Sequence, residues 1–333
     1  MGSEMCIRDS KQARLVQVEN LFAQTPDDPY VLGEKAQLEY DINALKKNAQ
    51  FVRAIRDQVR DGSARFLQRV TVPVTNMASA VRFWTEGCGA LVQSTRLVDG
   101  KNVTVIGFGP ESLRRDDGAK FSLEMVESPD QALIGGDAQV VQYIQLAMPV
   151  FRLSKVMAAG GQIESAYGWT KLTAPGGLPL RVRIDESRRD PFEFIALRVG
   201  KMDSAVKHYT SLGMVAEKPK AAFKLRENLG LDALLSSNTI FQESDVFVPD
   251  RGVGSVFVSY GDAELNTGLL LLPPIGRKAL SLGATGAAEP KLWVVGANPV
   301  SGDLALSPDG LALGFESEDQ FEASISAETK AKL

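Results

Sequence analysis

The chain has 333 residues and a formal net charge of −4, with 44% hydrophobic and 23% charged residues, the balance of a globular protein with a real core. That acidic balance speaks against bulk nucleic-acid binding, and no apolar run approaches the roughly 20 residues a membrane helix needs. A single histidine, His208, and two cysteines, Cys6 and Cys88, exclude any site built from several His ligands or from four Cys.

The first ten residues, MGSEMCIRDS, show no hydrophobic period and no cap. Read back into codons with a GTG start, they match a transposase adapter used to build sequencing libraries. Residues 1–10 are therefore set aside as a disordered scar, and Cys6 with them. On that reading the native N-terminus is expected further upstream. Residues 11–65 form a helical arm. Leu38, Ile42, Leu45, Ala49, Val52, Ile55 and Val59 recur at three- and four-residue steps, which predicts an amphipathic helix over 31–61. Its apolar stripe packs on the following domain or serves a protein partner or homodimer.

From Phe66 the period changes. FLQRVTVPV reads as a strand, NMASAVRFWTEGCGA as a helix ending in Gly, and ALVQSTRLV, KNVTVIGFG and KFSLEMVES as three further strands. The order then repeats. VVQYIQLAM is a strand, PVFRLSKVMAAGG a helix, QIESAYGW and LPLRVRID strands. A third unit opens at FEFIALRVG, with helix KMDSAVKHYTSLGM and strands at SVFVSYGD and GLLLLPP. In a fourth, KALSLGAT, KLWVVGAN, DLALS and LALGFE are short strands without a clear helix. TVPVTNMASAV and ALRVGKMDSAV share strand, turn and SAV, and they begin at Thr71 and Ala196, 125 residues apart. Tandem βαβββ units of this kind bury one sheet face under a helix and curl the other into a cup. The fold class is α+β.

RVGKMDSAVKHYTSLGM resembles the opening of a module of glyoxalase I (lactoylglutathione lyase), in the vicinal-oxygen-chelate superfamily. GFGPES at 107–112 is similar to the family's Gly-Tyr-Gly-Pro-Glu-Asp turn, FSLEMVES to its Glu-Leu-Thr strand, and SPDGLALGFESEDQF at 307–321 to its Asp-Pro-Asp-Gly strand. The resemblance covers about residues 66–325 and is nearest the two-module form of plants and algae. It implies a first module at 66–190, a second at 191–325 with a degenerate fourth unit, and a tail at 326–333. It also implies isomerisation of the methylglyoxal–glutathione hemithioacetal at a divalent metal held by His or Gln and Glu. A plastid or cytosolic setting is implied by the resemblance alone.

Carried onto this chain, the family's first ligand position falls on Arg69, and Gln68 beside it is placed by alternation on the opposite face. The second falls on Glu124, which keeps the carboxylate. The third falls on Val141 or Tyr143 and the fourth on Arg181. In the second module the positions are Phe194, Leu270, a residue near Ala279, and Gly314. Only Glu124 retains a ligand type, so no metal or other cofactor is expected. Zn, Ni or Mg enters only if the chain is an active enzyme. Arg69, Glu124 and Arg181 are expected to converge on one inward face, as an ion cluster or as a site for a small anionic or glutathione-like ligand, with Tyr143 beside it. His208 and Cys88 read as packing residues. Three functions stay open: a pseudoenzyme that binds a small ligand or partner, an active lactoylglutathione lyase, and a structural subunit of a larger complex.

Overall fold

The computed structural model describes residues 2–24, 30–32, 34–39, 42, 65–109, 121–128, 135–136, 138–166, 169–184, 190–217, 255–261, 266–275, 279–296 and 305–323. Helix α1 (Gly2–Gln24) runs through the segment expected to be disordered. Between Ser3 and Gln24 there is neither Gly nor Pro to stop it, so the helix continues past residue 10. Arg14 Nε donates to Glu34 Oε1 at 2.8 Å and Lys35 lies 4.8 Å over the Phe22 ring, so α1 pairs with the helical residues 34–39. The helix expected over 31–61 lies outside the described residues beyond Ile42. Among the described residues no helix is long and apolar enough to cross a membrane.

Four units follow. The first is β1 (Arg65–Val74), α2 (Met77–Arg82) running on as a π-helical turn (Phe83–Cys88), β2 (Leu91–Val98), β3 (Lys101–Gly107) and β4 (Ser122–Glu127). Asn76 caps α2 by accepting from Ser79 N at 2.9 Å. Asp99 and Gly100, both at positive φ, make the two-residue hairpin that sets Val98 opposite Lys101. The second unit is β5 (Val141–Met148), α3 (Arg152–Ala158), β6 (Gln162–Ala166), β7 (Trp169–Thr173) and β8 (Pro179–Ile184). The third is β9 (Phe192–Arg198), α4 (Met202–Ser211), β10 (Val215–Glu217), β11 (Val256–Ser259) and β12 (Gly268–Leu272). The fourth is β13 (Lys291–Gly296), β14 (Ala305–Leu306) and β15 (Ala312–Glu316). KALSLGAT is not one of its strands. That stretch contributes only an isolated bridge, Ser281 to Gln139.

The units do not pair in chain order. One sheet runs β14-β15-β13-β1-β4-β3-β2 and joins the first unit to the fourth. The other runs β10-β11-β12-β9-β5-β8-β7-β6 and joins the second to the third. The expected modules 66–190 and 191–325 are therefore not the sheets. Within each unit the first strand stands at an edge, and it closes that edge on the first strand of another unit, antiparallel. Seven residues, 185–191, separate β8 from β9, and this short connection keeps the second and third units in one sheet.

One apolar core lies behind both sheets. It takes Val70, Val72, Leu123 and Met125 from the first, Ile144, Leu146, Ile195 and Leu197 from the second, and Trp84, Val156 and Tyr209 from the helices. The Phe192 ring sits 4.9 Å from Phe121 and 5.7 Å from Trp84, which ties the sheets together. Turns cross between sheets as well: Thr75 N donates to Gly176 O at 3.1 Å, and Gly200 N to Asp309 Oδ1 at 2.9 Å. The stretch ESEDQ ends the last strand and begins a helix. Ser317 Oγ accepts from Gln320 N and Gln320 Oε1 from Ser317 N, a capping box that opens the helix 318–323 and buries Phe321.

Candidate functional site

The ladder registers define which inward positions are equivalent in the four units. On parallel strands β1 and β4, Arg69 faces Ser122 and Thr71 faces Glu124. The same step on β9 and β12 sets Phe194 against Gly268 and Ala196 against Leu270. On β5 and β8 it sets Gln145 against Arg181, which selects Tyr143 and not Val141 as the counterpart of Arg69. On β13 and β15 it sets Lys291 against Ala312 and Trp293 against Gly314. The counterpart of Arg69 in the fourth unit is thus Lys291, not a residue near Ala279. The unit's first strand is β13, and KALSLGAT before it only bridges at Ser281.

Because the first unit pairs with the fourth, the expected cluster divides. The cup of the first sheet presents Arg69, Glu124, Lys291 and Gly314. The cup of the second presents Tyr143, Arg181, Phe194 and Leu270. Arg181 does not reach Glu124. Its guanidinium lies 4.5 Å over the Tyr143 ring.

In the first cup Glu124 is buried. Thr71 Oγ1 donates to its Oε1 at 2.8 Å, Arg69 Nη1 to its Oε2 at 3.3 Å, and Arg96 Nη2 to the same Oε2. Arg96 was not foreseen; it reaches across β3 from β2. Its side chain is 30% exposed, against 13% for Arg69, so it is the arginine at the mouth. Gln68 also departs from its expected place. A bulge between Leu67 and Arg69 adds a residue to β1, and Gln68 Nε2 meets Ser122 Oγ at 3.4 Å, two residues along β4 from Glu124. Strand alternation, which put Gln68 on the other face, fails across that extra residue. The indole of Trp293 covers Gly314, where an added Cβ would fall 2.5 Å from the ring. Trp293 Nε1 is buried with no acceptor among the described residues, and Lys291 Nζ stands 5.3 Å over the same ring.

The second cup is mostly apolar. Tyr143, Phe194, Ala196, Phe257, Leu270 and Leu272 form one buried cluster, with Phe194 edge-on to Phe257 at 6.0 Å. Phe257 lies over Gly268, where a Cβ would fall 2.2 Å from the ring. Beside this floor, Arg183 Nε and Nη2 grip Glu193 Oε1 at 2.9 and 2.5 Å, and Gln145 Nε2 donates to Glu193 Oε2 at 2.8 Å. No group of three His, Cys, Asp or Glu side chains that could share a metal ion exists among the described residues.

The two other residues singled out from the sequence have partners other than Glu124 and Arg181 among the described residues. His208 packs edge-on to Tyr209 at 5.2 Å on α4, and burial holds its pKa below the usual value. Burial pushes the Cys88 thiol far up, which leaves it a small apolar filler.

No family model and no curated protein matches the sequence. Solved structures do match the fold. Glyoxalase I from Zea mays superposes with a TM-score of 0.57 at 16% identity, over 80% of this chain and 96% of that one. A putative dioxygenase from Bacillus subtilis subsp. subtilis str. 168 superposes at 0.50 and 12% identity, over 78% of this chain and 88% of that one.

Proposed function

We propose that this chain, a protein of the glyoxalase-I-like vicinal-oxygen-chelate fold, binds a small carboxylate or phosphate anion in its first cup and does so without the metal of that fold family. One observation carries the reading: both oxygens of Glu124 are already taken by Thr71, Arg69 and Arg96. A divalent cation needs several oxygen or nitrogen ligands free to turn toward it. Here it would meet one engaged carboxylate, the cations Arg69, Arg96 and Lys291, and Gly314, which has no side chain to offer. The residues present do not fit such an ion. They fit an acceptor. Three cations stand against Glu124 and against Glu316, two residues past Gly314 on β15, and the buried Trp293 N–H is a further donor. Arg96, at the mouth, is positioned to divide its fork between Glu124 and an incoming anion.

A second reading, an active lactoylglutathione lyase, is favoured by the bulge that brings Gln68 against Ser122, two residues along β4 from Glu124, since a Gln and a Glu are two of the expected ligand types. Metal analysis of the purified protein with a methylglyoxal–glutathione turnover assay separates the two. The anion reading expects no stoichiometric divalent ion and no turnover. A tightly held ion with turnover abolished by Glu124→Gln supports the lyase instead.

A further inference from the structure

Gln145 stands in the middle of β5 and is fully buried. Its Nε2 faces the Glu193 carboxylate, which fixes the amide orientation, because an oxygen there would face another oxygen. Its Oε1 then has no donor among the described residues. A buried acceptor left without a donor is costly, so it marks a place where a group is missing. The neighbours across the ladder say what kind. Arg181 lies directly opposite on β8, with Lys171 opposite Arg181 on β7, and Phe194 lies directly opposite Gln145 on β9. Leu270 and Phe257 continue the apolar floor. Cation, acceptor and aromatic ring therefore follow one another across adjacent strands about 5 Å apart. Lys171, Arg181 and Arg183 stand on this side of the cup, with Glu193 held by Arg183.

We propose that this row is a binding site, separate from the first cup, for a small 2-hydroxy carboxylic acid with an aromatic or branched hydrocarbon side chain. The carboxylate meets the Arg181 fork, whose plane is set by stacking on Tyr143. The hydroxyl donates to Gln145 Oε1, and the hydrocarbon lies on Phe194 and Phe257. A 2-amino acid would satisfy the acceptor too, but it brings an ammonium beside the Arg181 guanidinium.

Calorimetric titration of the full chain with 3-phenyllactate and with 3-phenylpropionate, which lacks the hydroxyl, tests this. Phenyllactate is expected to bind about tenfold more tightly, the value of one hydrogen bond to a buried acceptor. Gln145→Leu should abolish that preference, and Arg181→Gln should weaken both acids about tenfold. Arg96→Gln, in the other sheet, should leave the preference for the hydroxyl intact. The proposal is overturned if no binding is seen at millimolar acid, if the wild-type protein shows no preference for the hydroxyl, or if the preference survives Gln145→Leu. It is also overturned if Arg96→Gln abolishes binding, which places the acid in the first cup. The wild-type comparison of the two acids stands even if a variant fails to fold.

Discussion

At one register position the first cup holds Glu124 and Gly314, and the second holds Arg181 and Leu270. In the first, a buried carboxylate is matched by two guanidiniums and a hydroxyl, and a Trp covers the glycine. In the second, three of the four matching positions carry Tyr143, Phe194 and Leu270, packed into one apolar cluster. The same sheet geometry thus fills its inward face in two ways. One neutralises charge with fixed organic charge and stays polar. The other packs aromatic and aliphatic side chains at three of the four positions and keeps its charges, Arg181, Arg183 and Glu193, to one side. The first kind of cup is sensitive to losing a partner and offers donors to an anion; the second is sensitive to losing volume.

That contrast can be broken most forcefully from the apolar side. Phe194→Ala empties the centre of the second cup and should cost about 3–5 kcal/mol in denaturant unfolding, while anion binding in the first cup is retained. Next comes Glu124→Ala, which leaves the largely buried Arg69 without its carboxylate and should cost about 3 kcal/mol. Replacing the pair together, Glu124→Leu with Arg69→Met, should be far milder, because the charge then left over is that of Arg96, which reaches the mouth. A double-mutant cycle on unfolding free energies measures the difference. Smaller effects sharpen the comparison. Gly268→Ala drives a methyl to 2.2 Å from the buried Phe257 ring and should cost about 1–3 kcal/mol. Gly314→Ala should cost less, since Trp293 is only half-buried where Phe257 is buried, and fluorescence should report the indole's move.

The smallest effect lies outside both cups. His208 has its folded pKa held below its ordinary value of 6.5 by burial, so the unfolded chain binds the extra proton more readily. Its contribution to stability is present above pH 6.5 and is lost as the pH falls through the folded pKa. His208→Gln should flatten that limb of a thermal unfolding profile slightly and leave the neutral limb unchanged.

Much of the fold was legible in the sequence because the repeat is local. SAV after a strand and turn, Gly at helix ends and alternating strands mark the units one by one. The partners of the units were not, because the first strand of each unit looks alike and only the connection lengths, such as 185–191, decide which sheet it joins. Single residues failed for the same kind of reason. The Gln68 bulge adds one residue that no period reveals. KALSLGAT has strand composition but gains only one bridge, which misplaced the position now held by Lys291. Arg96 was half readable: the Asp99-Gly100 hairpin fixes it opposite Val103, but its reach to Glu124 depends on how β4 returns against β3 after a long connection.

The central claim, a cup built for an anion and not for a metal, is tested most directly by one titration series. The chelator-treated 333-residue chain is titrated with inorganic phosphate and with acetate, as wild type and as Arg96→Gln, with the metal content of the untreated batch measured in parallel. The account predicts no stoichiometric divalent ion, binding of at least one anion unaffected by chelator, and weakening of about tenfold in Arg96→Gln. One tightly held divalent ion per chain, together with anion binding that disappears on chelation, contradicts it.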